Sequence, residues 1–149
     1  MDTNATRIPT RTALDAVHVG EAMHAGVITC QPDTPLQAIA RIMSDERVHC
    51  VIVLSAPEEE SLAGDLWGVV SDIDVAGAVS ADDGSRTASN TGATPVVTVS
   101  PAETLTRAAQ LMVEHSTGHL VVVDPTTGRP LGVISTLDVA RVIGTATTS

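Results

Sequence analysis

Two hydrophobic patterns alternate along the chain. In the first, aliphatic residues form short continuous runs, which are typical of β-strands covered on both faces. In the second, apolar residues recur at intervals of three and four, which is typical of an amphipathic helix. The order of these patterns predicts the unit β-α-β-β-α twice, with strands at 27–30, 50–54, 66–70, 96–99, 120–123 and 131–134.

The order occurs twice because the chain repeats itself. Residues 28–54 align with residues 97–123, and GVVSDIDVAGAV at 68–79 aligns with GVISTLDVARVI at 132–143. A longer loop at 55–65 in the first copy accounts for the difference in length between the copies. Self-similarity of this kind indicates a duplicated structural unit. We therefore predict an α/β (α+β) fold that consists of two tandem repeats.

The polar segments divide the chain further. Residues 1–17 form a leader that we predict to be partly disordered up to about residue 12, although 14–23 has the pattern of a short helix. The first repeat covers 18–79 and the second covers 94–144. Between them, residues 80–93 are small, polar and aperiodic, which predicts a linker. Residues 145–149 form a tail.

Each repeat contains the element Gly-x-x-Ser-x-x-Asp before its last helix. Ser71 and Asp74 belong to the first copy, and Ser135 and Asp138 to the second. This spacing is that of a capping box, in which the serine caps the helix and the acid accepts a hydrogen bond from the serine's amide. Capping alone explains the doubled element, since a cap contributes about 1 kcal/mol.

Composition excludes several functions. The formal net charge of −10 argues against binding nucleic-acid phosphates, and Trp67 is the sole aromatic residue on which a base could stack. All eight basic residues are arginine, which excludes Schiff-base chemistry and a P-loop lysine. The two isolated cysteines and the lack of a signal peptide or a long apolar segment predict a cytoplasmic protein that does not enter a membrane.

Catalytic and metal sites are not indicated either. The five histidines and two cysteines lack the spacing of zinc ligands, so we predict no metal. No nucleophile elbow and no paired carboxylates occur at readable spacing. An enzyme is therefore the least favoured hypothesis, and we predict no cofactor.

The ordered set of motifs resembles the CBS domain pair, also called the Bateman module. GVVSDIDV and GVISTLDV carry the resemblance, together with VGEAMHAGVITCQPDTPL and HLVVVD, and it covers roughly residues 18–144. The resemblance implies a pseudo-twofold, non-catalytic regulatory module with two clefts between its repeats. Such clefts often hold AMP, ADP, ATP or S-adenosylmethionine. It also implies a homodimer that signals to a separate effector protein.

The resemblance also implies roles for particular residues. The motif aspartates would hold the ribose hydroxyls, the serines with Thr136 would contact phosphate, and the backbone near the first strand of each repeat would receive the base. A carboxylate can accept two charge-assisted hydrogen bonds from a cis-diol, so the ribose role is chemically sound. The implied ligand-binding residues are Ser71, Asp74, Ser135, Thr136, Asp138, Val27, Ile28, Val96 and Val97.

The two copies differ in the side chains that could contact a ligand. Arg141 lies one helical turn after Asp138 and could meet a phosphate, or simply lie on the exposed face of the helix; Gly77 holds that position in the first copy. His119 and His49, near the starts of the central strands, could contact a ligand or pack structurally. We therefore expect the better site in the second copy.

One departure from the family's pattern favours a different function. Where the family often places a short helix before the second repeat, this chain has Ala-Ser-Asn-Thr-Gly at 88–92. The alternative function is a dimerising protein-interaction scaffold whose clefts are empty or degenerate.

Overall fold

The mixed α and β architecture is confirmed in a computed structural model, which describes residues 10–55, 66–81, 85–92 and 95–145. The helices are α1 (Thr10–Asp15), α2 (Val19–Ala22), α3 (Leu36–Glu46), α4 (Asp72–Ser80), α5 (Leu105–Glu114) and α6 (Thr136–Thr145). The strands are β1 (His24–Ala25), β2 (Thr29–Cys30), β3 (Cys50–Leu54), β4 (Leu66–Ser71), β5 (Thr98–Val99), β6 (His119–Val123) and β7 (Pro130–Ser135).

The chain divides into two compact units that do not follow the repeat boundaries. The described residues of Val27–Val96 form one unit, which we call the first-repeat unit. Those of Met1–Gly26 and Val97–Ser149 form the other, which we call the second-repeat unit. Residues 18–26, which the sequence pattern assigns to the first repeat, therefore pack with the second repeat. From here on, the leader means the described residues of Met1–Gly26.

The first-repeat unit contains a sheet of order β2-β3-β4. The β2 and β3 strands are parallel, while β3 and β4 form the antiparallel pair expected from their apolar runs. Helix α3 buries Leu36, Ile39 and Met43, as its three-and-four spacing predicts. The helix ends at Arg47, which adopts the left-handed conformation of a C-cap.

The second-repeat unit repeats this plan and adds one strand. Its sheet has the order β1-β7-β6-β5, with β5 and β6 parallel and β6 and β7 antiparallel. Helix α5 buries Leu105, Ala108 and Met112 against the sheet. The additional strand, β1, comes from the leader and pairs antiparallel with β7.

The leader is fixed to the second repeat by backbone hydrogen bonds. The amide of Val19 donates to the carbonyl of Glu103 over 2.8 Å, and the amide of Gly20 donates to the carbonyl of Pro101 over 3.0 Å. The single helix predicted at 14–23 is wrong. Two short helices form instead, because His18 and Met23 adopt extended conformations on either side of α2. Helix α1 also begins at Thr10, within the segment predicted to be disordered, whereas residues 1–9 lie outside the described residues.

The predicted linker contains a structural counterpart of α2. Residues Ala88–Asn90 form one turn of 3₁₀ helix. The amide of Ala88 donates to the carbonyl of Thr34 over 2.9 Å, and that of Ser89 to the carbonyl of Pro32 over 2.8 Å. These acceptors align with Glu103 and Pro101 of the other repeat. The short helix that the sequence does not predict is therefore present. Backbone hydrogen bonds to this loop hold it, and the Asn90 side chain caps it by accepting from the amide of Thr87 over 2.8 Å.

We predict that Gly132→Ala destabilises the second-repeat unit. Gly132 is opposite Ala25 in the β1–β7 pair, and a Cβ at this position would collide with the carbonyl oxygen of His24. We expect a loss of about 1–3 kcal/mol in the free energy of unfolding, measured by urea denaturation.

Gly144→Ala is the control, because a Cβ at Gly144 meets no atom within 4 Å and the residue lies in α6 of the same unit. An equal loss in both variants would contradict the prediction.

Candidate functional site

The doubled motif forms a reciprocal cap at the start of the last helix in each repeat. In the second copy, the amide of Ser135 donates to Oδ2 of Asp138 over 2.8 Å, and the Ser135 hydroxyl donates to the same oxygen over 3.0 Å. The amide of Asp138 donates back to the Ser135 hydroxyl oxygen over 3.4 Å. This is the capping box that the spacing predicts, and it joins the end of β7 to the first turn of α6.

The carboxylate of Asp138 is buried and surrounded by polar groups. Only 2% of its side chain is exposed. Its second oxygen, Oδ1, lies 3.1 Å from Nδ1 of His24 and 3.5 Å from Nη1 of Arg141. Both oxygens therefore already face donors, Oδ2 those of Ser135 and Oδ1 those of His24 and Arg141.

The equivalent aspartate in the first copy is more open. The amide of Ser71 donates to Oδ2 of Asp74 over 2.9 Å, and the amide of Asp74 donates to the Ser71 hydroxyl over 3.3 Å. The Asp74 side chain is half-buried. Among the described residues, Oδ1 of Asp74 has no hydrogen-bond or ion-pair partner. Gly77, which aligns with Arg141, provides no side chain there.

The two copies differ in charge around the start of their final helices. Helix α6 begins with the exposed Thr136, whereas α4 begins with Asp72. Nδ1 of His49 lies 3.0 Å from Oδ2 of Asp72, and the amide of Asp72 donates to the His49 carbonyl over 2.8 Å. The start of α4 thus carries two carboxylates, Asp72 and Asp74, where α6 carries one carboxylate and a guanidinium.

The other predicted residues lie along the sheets. His119 starts β6 directly opposite Ser135, so it borders the α6 cap. The carbonyl of Ile28 accepts from the amide of Ile52 over 2.9 Å, and that of Val97 from Val121 over 3.1 Å. These two carbonyls are therefore used within the sheets. Val27 is 37% exposed and Val96 is partly buried.

The sequence identifies most members of the α6 cap and misses one. Asp138 contacts both Ser135 and Arg141, and Thr136 begins α6 next to Ser135, while the binding of a ligand by these residues stays a prediction. His24 was not singled out, because nothing in the sequence shows that a two-residue strand of the leader pairs with β7. Arg141, considered for phosphate binding, lies against the aspartate of its own helix.

The remaining titratable groups do not indicate catalysis. Burial, with the nearby Asp72 carboxylate, raises the pKa of the Cys50 thiol to about 11, and burial also raises the pKa of Cys30. Thiols with raised pKa values are poor nucleophiles. A hydrogen bond with His18 lowers the pKa of Glu21. Over the described ranges, no cluster of metal-ligating side chains and no helix long and apolar enough to cross a membrane is found.

We predict that Asp138→Ala costs more stability than Asp74→Ala. Removing Asp138 empties a site that is 2% exposed and leaves the Ser135 amide without its acceptor. Asp74 is only half-buried, so water can take its place at the Ser71 amide more readily. We expect losses of about 2–3 kcal/mol and about 1 kcal/mol, respectively, from urea denaturation. Equal losses would show that burial of Asp138 does not strengthen its cap.

Among known protein families, the CBS domain model matches residues 19–81 and 92–145 of this chain. None of the curated proteins matches the chain.

The solved structures that are similar in fold include three CBS domain proteins. The CBS domain pair of protein MJ0100 in complex with 5′-methylthioadenosine and S-adenosyl-L-methionine is 20% identical with a TM-score of 0.74, over 86% of this chain and 96% of that chain. The CBS domain protein PAE2072 from Pyrobaculum aerophilum, complexed with AMP, is 22% identical with a TM-score of 0.71, over 82% and 89%. The hexameric CBS-CP12 protein from bloom-forming cyanobacteria is 23% identical with a TM-score of 0.73, over 84% and 70%.

The solved structures share the architecture at low identity, and the family model matches both of the repeats that the sequence predicts. Because that model matches more than half of the chain, the protein belongs to the CBS domain family.

Proposed function

We propose that this protein is a non-catalytic regulatory module that binds an adenosine-containing ligand at the start of α6. The observation that carries the proposal is the Ser135–Asp138 cap, which holds a buried carboxylate at a helix N-terminus with a guanidinium beside it. Two structural neighbours are described as complexes with adenosine compounds, AMP in one and S-adenosyl-L-methionine with 5′-methylthioadenosine in the other.

The cap offers complementary groups for the two polar parts of a nucleotide. The Asp138 carboxylate is an acceptor for the ribose hydroxyls, and charge assistance strengthens such hydrogen bonds. The first amides of α6 and the exposed Thr136 hydroxyl suit a phosphate, which the helix dipole also favours. Arg141 has a side chain that is 59% exposed, so it can turn from Asp138 towards a phosphate.

The first copy is less suited to a phosphate. Asp72 replaces Thr136 at the first helical position, and its carboxylate would repel an anionic ligand. Gly77 offers no cation. The partly open Asp74 suits the ribose of a ligand without a phosphate nearby. The electrostatic difference therefore supports α6 as the nucleotide-binding end, with a weaker or structural role at α4.

A regulatory role requires more than binding. A ligand changes the signal to a separate effector protein only if it favours one conformation over another. In the proposed site, the groups that change are His24 and Arg141, which both face the aspartate that the ribose needs. Proteins of this family are generally regulatory rather than catalytic, which is the role we propose here.

The alternative function is a dimerising interaction scaffold that binds no ligand. The observation in its favour is the same cap, because both Asp138 oxygens already face donors within the protein. Under this alternative the motif acts only as a helix cap. The two functions differ in one measurable property, the affinity for nucleotides.

We predict that the protein binds AMP, ATP or 5′-methylthioadenosine and that Asp138→Asn weakens binding about tenfold to a hundredfold. The loss follows from removing a charge-assisted hydrogen bond. Isothermal titration calorimetry measures the affinity, and a thermal shift supports it because ligand at a hundred times its Kd adds about 2.7 kcal/mol.

Asp45→Asn is the matched control, since Asp45 is exposed on α3, far along the chain from either motif. Absence of binding by every adenosine compound at millimolar concentration would favour the scaffold alternative. An equal loss in both variants would refute the role of Asp138.

We also propose that the protein forms homodimers through the exposed apolar residues of its final helices. Ile73 on α4 is 76% exposed and Leu137 on α6 is 53% exposed, and the two occupy equivalent positions in the repeats. Covering such residues in a partner removes apolar surface from water.

We predict that Ile73→Asp with Leu137→Asp shifts the mass measured by light scattering from dimer towards monomer. Val113→Asp is the control, because Val113 is equally exposed but lies on α5. A parent chain that is monomeric at high micromolar concentration would refute the dimer.

A further inference from the structure

His24 is held in a position from which it covers the aspartate of the α6 cap. Its backbone belongs to β1, opposite Val133 of β7, and the next turn is fixed by the amide of Gly26, which donates to the Leu131 carbonyl over 3.0 Å. The main chain of His24 is therefore anchored, and rotation of its side chain is the motion left to it.

The two side chains of this contact differ strongly in how much of their surface is exposed to solvent. The imidazole of His24 is 64% exposed, whereas the carboxylate of Asp138, 3.1 Å away, is 2% exposed. Solvent therefore reaches the histidine but hardly reaches the aspartate. A ligand that approaches this end of α6 meets the imidazole, along with the exposed Arg141, before it meets the carboxylate.

The two oxygens of Asp138 are not equally available to a ligand. Oδ2 accepts from the amide and the hydroxyl of Ser135, and losing these hydrogen bonds would undo the cap. Within the part of the chain that the structure describes, Oδ1 faces His24 and Arg141 alone, and their side chains can move without breaking the helix. A ribose diol can therefore engage Oδ1 once the imidazole has turned away.

We propose that His24 is a positioning residue that competes with the ligand for Asp138, so that binding at the α6 cap requires its displacement. This inference rests on the proposed function and adds a residue that the motif does not contain. The offset that aligns residues 28–54 with 97–123 matches His24 with Ala93, so the sequence provides an imidazole at one of these two positions and a methyl group at the other.

The cover over Asp138 can be tested without any ligand. Carboxyl labelling with a carbodiimide and glycine ethyl ester, followed by mass spectrometry, reports the accessibility of each carboxylate in the full-length protein. We expect labelling of Asp138 to rise several-fold in His24→Ala and to stay low in His115→Ala, an exposed histidine at the C-cap of α5. Equal labelling of Asp138 in the parent chain and His24→Ala would overturn the proposal.

Calorimetry with AMP and with 5′-methylthioadenosine tests the competition. We expect His24→Ala to bind about threefold to tenfold more tightly than the parent chain. His24→Gln keeps a hydrogen-bond donor at this position, so we expect it to keep Asp138 covered and to bind with an affinity close to that of the parent chain. Circular dichroism melting establishes that each variant keeps its fold.

The outcomes separate this inference from the proposed function. Binding by the parent chain with unchanged or weaker affinity in His24→Ala overturns the competition and leaves the proposed function standing. Binding by neither the parent nor any variant overturns the proposed function together with the competition, while the labelling still decides whether His24 covers Asp138.

Discussion

The close approach of the leader to β7 is the contact on which the second-repeat unit depends. β1 adds an edge to a sheet whose other strands all come from the second repeat. The absence of a side chain at Gly132 permits this approach at the carbonyl of His24. The same pairing fixes the position of His24 and thereby places its imidazole next to the carboxylate of Asp138. Strand pairing, core formation and the chemistry of the α6 cap are thus parts of one arrangement.

In the Ser-x-x-Asp element, one carboxylate would have two roles, as a helix cap and as a hydrogen-bond acceptor for a ligand. As a cap, it must accept from the serine amide, which satisfies a backbone donor that the helix leaves unpaired. As a ligand acceptor, it needs an oxygen that remains free to exchange partners. The geometry of Asp138 assigns one oxygen to each role, since Oδ2 accepts the hydrogen bonds of the cap and Oδ1 faces the exposed side chains of His24 and Arg141. Capping and binding therefore need not be alternatives, although the sequence could not show how one residue would accommodate both.

Much of the fold could be predicted because it is encoded locally. The apolar runs that became β3, β4, β6 and β7, and the spacing of Leu36, Ile39 and Met43, each depend on neighbouring residues. The short elements could not be predicted in the same way. The two residues of β1 carry too little pattern to indicate a strand, and the turn at Ala88–Asn90 is held by carbonyls of a distant loop. The contact between His24 and Asp138 follows from the unpredicted pairing, which is why the motif residues were found and the histidine was not.

The unequal make-up of the two units has a consequence for the order in which they can fold. The first-repeat unit is a continuous stretch of chain, Val27–Val96, so it can become complete as soon as that stretch has left the ribosome. The second-repeat unit joins Met1–Gly26 to Val97–Ser149, and closing that long loop costs chain entropy before any contact is gained. During synthesis, β1 of the leader therefore cannot pair with its partner until β7 has been synthesised. The part of the second-repeat unit that comes first in the sequence therefore forms its strand pairs late, after the whole of the first-repeat unit has been synthesised.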